Sequence, residues 1–207
     1  MSKAHKTISS SSGKTILFGE HSVVYPTNPA VAISLSSLRI TTTVKTKRCE
    51  GGRKGWFKVV LEDLGDGGIE ITLNIVDVLN VAIGNDPSVK LTSVQNAAIN
   101  KILEDEGLTK DDAVPFVPLL ALMSGVLGDL VGMDETDVEV NVKSKLLPVG
   151  SGLGSSAAFC VSAAASLLGG RRKIVGGGGG AGEEEEEIVP GEEDLELINE
   201  WGYFGER

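Results

Sequence analysis

Gly150, Gly152 and Gly154, followed at once by Ser155 and Ser156, are the residues of this chain whose types and spacing best suit chemistry. They lie in LPVGSGLGSSAA, residues 147–158, between a strand-like run at 138–142 and a small-residue helical run at 157–168. Glycines so spaced let the backbone turn tightly and approach a ligand without interference from Cβ atoms. The amides that open the next helix then face that ligand with the positive end of the helix dipole. The chemistry this suits is phosphate binding, with the backbone of Ser151 and Leu153 completing the loop and the hydroxyls of Ser155 and Ser156 placed where a phosphate-bound Mg²⁺ would sit. An ordinary glycine turn with a serine N-cap has the same local composition, so the loop does not decide the matter alone.

Two further segments bear on it. In GKTILFGEHSVVY, residues 13–25, Lys14 precedes an apolar strand at 15–18 and Gly19, Glu20 and His21 follow it. A lysine at a strand start is by itself usually a solvent-exposed one. In EDLELINEWGYFGER, residues 193–207, Leu195, Ile198, Trp201 and Tyr203 or Phe204 are spaced for one apolar helical face, with Glu206 near its end.

GKTILFGEHSVVY and GLGSSAA together resemble the GHMP kinases, and the order of lysine, apolar strand and GEHSVV, with the later GER segment, resembles the mevalonate kinase family within them. The resemblance implies ATP-dependent phosphorylation of mevalonate to 5-phosphomevalonate, a step in isoprenoid and sterol precursor synthesis. It makes Lys14 catalytic and makes Lys14, Asn74, Gly150, Ser151, Gly152, Leu153, Gly154, Ser155 and Ser156 ATP-binding. Glu20 and His21 would contact mevalonate, and Ser156 and Glu206 would hold Mg²⁺. Asn74 sits in a loosely matching segment, where an ordinary strand-end asparagine is an equal reading. The family's catalytic Asp, in a Gly-x-Asp-Asn segment, would fall beyond Arg207, so the resemblance implies a truncated chain with no activity of its own. The rival readings are a non-catalytic nucleotide-binding fragment or pseudokinase, and a GHMP kinase for another small alcohol. A homodimeric parent enzyme is compatible with the resemblance.

The elements that must position these residues follow from periodicity. Alternation and β-branched residues predict strands at 14–18, 30–34, 39–45, 57–61, 69–73 and 138–142. Helical spacing predicts helices at 88–106, 115–131, 155–168 and 192–204. Strands clustered early with helices after them imply an α+β fold, and the resemblance makes it the GHMP-kinase N-terminal domain, ribosomal protein S5 domain 2-like, with the C-terminal domain absent. The expected organisation is a flexible N-terminal tail at 1–13, the domain at 14–168, a low-complexity Gly/Glu loop at 169–191 and a truncated helix of the same domain at 192–207. Residues 25–29, with two prolines and an asparagine, predict a turn.

With 207 residues, 41% of them hydrophobic, the chain can bury a sizeable core. A net charge of −10 opposes capture of nucleic acid or an anionic membrane, yet leaves nucleotide binding open through local amides, lysine and Mg²⁺. Cys49 and Cys160 lie far apart without Cys or His neighbours at ligand spacing, which indicates neither a zinc site nor a disulfide framework. The N-terminal stretch at 1–14 has no apolar core of a secretion signal, and no window approaches the 18 or so uninterrupted apolar residues of a membrane span. The expectation is a cytoplasmic protein whose partner is a small molecule.

Overall fold

The computed structural model describes residues 4–19, 21, 25, 28–63, 67–147, 152–175 and 191–206, the side chains of Lys145 and Glu206 excepted. Five strands, β1 (Ala4–Phe18), β2 (Val31–Arg48), β3 (Trp56–Leu61), β4 (Ile69–Asn74) and β5 (Thr136–Lys145), form one sheet in the order β1-β2-β5-β3-β4. All pairs are antiparallel except β3 with β5, which run parallel. The helices are α1 (Ile75–Leu79), α2 (Ser93–Asp105), α3 (Lys110–Ala113), α4 (Phe116–Leu127), α5 (Ser155–Val175) and α6 (Glu192–Glu206). The architecture is α+β, as expected.

Alternation along the strands decides which face of the sheet the helices cover. Ile40, Thr42, Val44 and Thr46 on β2, Phe57, Val59 and Leu61 on β3, and Val138, Val140 and Val142 on β5 are buried. Residues between them carry charge on the opposite face, where Lys45 pairs with Glu139 at 2.9 Å, Lys58 with Glu70 at 2.7 Å and Lys143 with Glu62 at 3.0 Å. A sheet with one packed and one solvated face is the usual antiparallel solution. α4 is apolar all round, and Leu119, Leu120, Leu122, Met123, Val126 and Leu127 are all fully buried in it, as a helix surrounded by protein must be. Among the described residues, no helix is long and apolar enough to cross a membrane.

Three expectations need correction. Residues 4–13, expected in a flexible tail, belong to β1, which pairs with β2 from Ala4 opposite Lys47 to Ser12 opposite Arg39; strand pairing and hydroxyl contacts to α5 take the place of the apolar burial this serine-rich stretch lacks. Residues 169–175, expected in the Gly/Glu loop, continue α5. Gly169 is there for close packing, because a Cβ on it would come within 3.2 Å of Thr7 Cγ2. Arg171 donates to the Val126 carbonyl at 2.6 Å and pairs with Asp129, which fastens this last stretch to the end of α4. The rest of the expected loop, 176–190, lies outside the described residues. On α6, Trp201 and Phe204 are buried with their rings edge to face at 5.2 Å, so of the alternatives Tyr203 and Phe204 it is Phe204 that joins the apolar face, while Leu195, expected on that face, is exposed. Of the turn expected at 25–29, Pro26 and Thr27 lie outside the described residues, and the Asn28 N–H donates to the Tyr25 carbonyl at 3.3 Å.

The end of the sheet remote from the glycine loop is fastened by a buried carboxylate. Asp137, only 8% exposed, accepts from Arg53 Nη1 at 3.0 Å and Nη2 at 2.5 Å, from Cys49 Sγ at 3.2 Å and from the Trp56 N–H at 3.2 Å. One side chain thereby ties the end of β2 and the start of β3 to β5. Burial opposes its ionisation, but donors from Arg53, Cys49 and Trp56 outweigh it and hold the carboxyl below its ordinary range. Burial and the adjoining carboxylate push the Cys49 thiol up, which suits a structural donor rather than a nucleophile.

Asp137→Ala is expected to lower unfolding free energy by about 1–3 kcal/mol, because buried donors lose their acceptor; urea denaturation measures it. The depressed folded pKa means that the ion pair contributes fully above the unfolded value of about 3.9 and is lost as pH falls through the folded one. Asp137→Asn should therefore make the loss of stability below about pH 4 shallower. The loss should not vanish, since Glu62, Asp86, Asp129 and Asp134 are also held low by their partners. An acid limb unchanged in the variant would contradict this account.

Candidate phosphate-binding site

Lys14 and the glycine loop, far apart in sequence, meet just after the register shift between Ser12 and Gly13 on β1. The Lys14 N–H donates to the Leu153 carbonyl at 2.8 Å, so the loop is stitched to the strand at the lysine itself. Gly154 has φ +71 and Gly152 φ +74, backbone states that cost an L side chain about 1–2 kcal/mol. A Cβ on Gly154 would lie 2.8 Å from Lys14 Cγ, whereas one on Gly152 would meet none of the described residues within 4 Å. The two glycines thus do different work: Gly154 lets the lysine stem lie against the loop, and Gly152 leaves an open space above the backbone. Gly13 is equally constrained, since a Cβ there would come within 2.8 Å of both Leu147 Cδ1 and the Leu153 carbonyl. That contact lay outside the sequence reading, although the Gly-Lys pair was its signal.

α5 begins directly from this turn. The Gly154 carbonyl accepts from the Ala158 N–H at 3.0 Å, which puts a residue without a side chain at the helix's capping position. The first turn of α5 holds no acidic residue and its last turn carries Arg172 and Lys173, so the positive end of a 21-residue helix is not neutralised by acidic side chains of its own first turn. In contrast, α6 opens on Glu192, Glu193 and Asp194, and α2 is closed by a capping box between Thr92 and Gln95. Lys14 and Ser156 are exposed and Ser155 is half-buried. The open space at Gly152, the first-turn amides and a lysine at their edge suit a polyphosphate. The hydroxyl of Ser156 is a hard oxygen donor of the kind Mg²⁺ takes.

The other expected residues are distributed unevenly. Glu20, Gly150 and Ser151 lie outside the described residues, as does the side chain of Glu206. The backbone of Glu206 ends α6 next to Gly205, where a Cβ would be 3.3 Å from Cys160 Sγ; Cys160 is about one helical turn beyond Ser156 on α5. His21 is exposed in a turn after β1. Asn74 is a correction: it ends the edge strand opposite β1, level with Trp56 at the far end of the sheet, and its side chain caps α1 by accepting from the Val76 N–H at 3.0 Å. Its position is set by that cap, and the fold does not bring it to the glycine loop.

The α+β fold, with a helix opened by a glycine turn against a lysine-bearing edge strand on a one-sided sheet, is consistent with the N-terminal domain of the GHMP kinases. The chain is a homologue of the mevalonate kinases. It is 31% identical to mevalonate kinase of Bos taurus over 207 residues, 96% of this chain and 47% of the relative. It is 30% identical to mevalonate kinase of Homo sapiens over 204 residues, with the same coverage of each. A 157-residue match to mevalonate kinase of Thermococcus sibiricus is 28% identical and covers 76% of this chain and 37% of the relative. Among solved structures, Methanococcus jannaschii mevalonate kinase superposes with a TM-score of 0.55 at 22% identity, over 97% of this chain and 45% of that one; this likeness concerns the fold. The chain spans about half the length of the curated relatives it matches. No family model matches it.

Gly152→Ala and Gly154→Ala carry the same backbone strain but should differ in one respect. Only Gly154→Ala is expected to move Lys14, seen as altered NMR shifts of the lysine methylenes, while both lose about 1–2 kcal/mol in urea denaturation. Equal lysine shifts in the two variants would refute the separate roles given to these glycines.

Proposed function

We propose that the protein transfers the terminal phosphoryl group of ATP to mevalonate, giving 5-phosphomevalonate and ADP, and that this chain supplies the phosphate-binding half of that site. The observation that carries the reading is the seating of Lys14 on the glycine loop, through the Lys14 N–H to Leu153 carbonyl bond and the contact of its stem with Gly154. Homology to mevalonate kinases supports mevalonate as the acceptor.

Phosphoryl transfer asks mainly for positioning and charge neutralisation. In this reading the amides of residues 152–156 bind the phosphates, with Gly150 and Ser151 continuing the loop, and the dipole of α5 adds to their field. Lys14 places its ammonium between the transferred group and the acceptor oxygen, offsetting the negative charge that develops there. Ser156, with Glu206, would hold Mg²⁺, which supplies neutralisation of the phosphate oxygens when bound. Glu20 and His21 would orient mevalonate at the exit of β1. The rest of the cleft, the proton acceptor and a homodimeric assembly belong to the same proposal for the whole protein.

The test is a titration of the isotope-labelled chain with Mg²⁺ and a non-hydrolysable ATP analogue. Amide shifts concentrated at Gly152, Leu153, Gly154, Ser155 and Lys14 are expected, with Asn74 unmoved. Any 5-phosphomevalonate formation should fall roughly 10²-fold or more in Lys14→Met. Shifts without turnover would assign this chain the non-catalytic role. Absence of shifts at the loop, or turnover indifferent to Lys14, would overturn the proposal.

A further inference from the structure

Alternate residues of β1 turn toward α5, and their chemistry is unlike the rest of the core. The Thr7 hydroxyl donates to the Ser166 carbonyl at 2.8 Å. The Ser9 hydroxyl faces both the Ser162 carbonyl at 2.5 Å and Ser166 Oγ at 2.7 Å. From β2, Thr42 Oγ1 lies 2.8 Å from Ser162 Oγ, and its carbonyl accepts from Ser166 Oγ at 2.7 Å. Thr42, Ser162 and Ser166 are each no more than 1% exposed. Beyond the ladder, Lys173 Nζ donates to the Lys6 carbonyl at 3.1 Å, and at the opposite end stands the Lys14 to Leu153 bond.

These contacts run in opposite order along the two elements, so α5 lies antiparallel to β1 over its length. The spans agree: Lys6 to Lys14 covers roughly 26 Å of strand at 3.3 Å per residue, and Gly154 to Lys173 roughly 28 Å of helix at 1.5 Å per residue. Apolar contact between small side chains resists separation but is non-directional, and it resists sliding poorly where no large side chains interlock. Hydrogen bonds fall off steeply with distance and angle. A slide of one helical residue, about 1.5 Å, would break the ladder.

We propose that Ser9, Thr42, Ser162 and Ser166 are positioning residues that fix the axial register of α5 on β1 and so hold Gly154 against Lys14. Their meaning for catalysis rests on the reading given under Proposed function, but the coupling itself does not. The ladder acts through the helix: it touches neither phosphate nor lysine, and it sets where the helix start arrives.

The test is hydrogen exchange of the Lys14 amide in the full chain, without nucleotide, so that a failure of ATP binding leaves the result readable. In Ser162→Ala/Ser166→Ala the Lys14 amide is expected to exchange about tenfold faster than the change in global stability accounts for. The control is Leu103→Ala, a cavity in α2 on a fully buried residue, which should change Lys14 protection only as global stability changes. If the double variant does not fold, Ser9→Ala removes one hydroxyl from the strand side and is expected to act in the same direction. Lys14 protection that merely follows global stability in the ladder variant, as in the control, would overturn the proposal.

Discussion

The constraint on which the site depends is the seating of a long helix along an edge strand. α5 must lie close to β1 for its first turn to arrive beside Lys14, and close approach demands small residues on both surfaces. Ala, Ser and Gly on the helix and Thr, Ser and Gly on the strand meet that demand. Their hydroxyls also satisfy one another in a layer with little access to water, where an unmade bond would be costly. Serine serves both purposes, being small enough for close packing and polar enough to bond across it.

The rest of the fold keeps that pair in place. α4 fills the centre of the core and presents its end to α5, where Arg171 joins Asp129 and the Val126 carbonyl. On its other side, α5 receives α6: a Cβ on Gly202 would lie 2.8 Å from Val161 Cγ2, so the two helices approach almost backbone to backbone. The Asp137 cluster fastens the opposite end of the sheet, far from the glycine loop. Each end of β5 therefore has its own task, with a buried carboxylate at its start and a phosphate-suited turn after its end.

Electrostatics follow the same division. A chain with net charge −10 repels polyanions at long range, yet screening confines that effect to about 10 Å at ordinary ionic strength. Near the loop, Lys14 and the start of α5 contribute a positive field, and the helix's first turn holds no acidic side chain. Among the described residues, Glu62, Glu70 and Glu139 pair with lysines on the open face of the sheet, and Glu192, Glu193 and Asp194 open α6. This arrangement accounts for how an acidic protein can offer a local anion site.

The sequence made legible what short motifs carry. Glycines at 150, 152 and 154 before two serines, and a lysine before an apolar strand, point to phosphate as the ligand to test because such roles depend on backbone freedom and charge, which are local properties, and the fold seats Lys14 on the described part of that loop. The one-sided strands β3, β4 and β5 were equally plain from alternation. What the sequence by itself could not decide was which polar residues are structural. Ser9 read as part of a tail, because burial of a hydroxyl is stabilising only when partners exist, and its partners Ser162 and Ser166 lie more than 100 residues away on α5. Gly169 and Gly170 read as a loop, because a glycine needed for close packing and one needed for flexibility are the same residue until the neighbouring surface is known. Asn74 read equally as a nucleotide contact and as an ordinary strand-end asparagine; the structure shows its side chain capping α1, on an edge strand opposite β1. Tertiary structure decided these points because each turns on long-range proximity, which composition and periodicity do not encode.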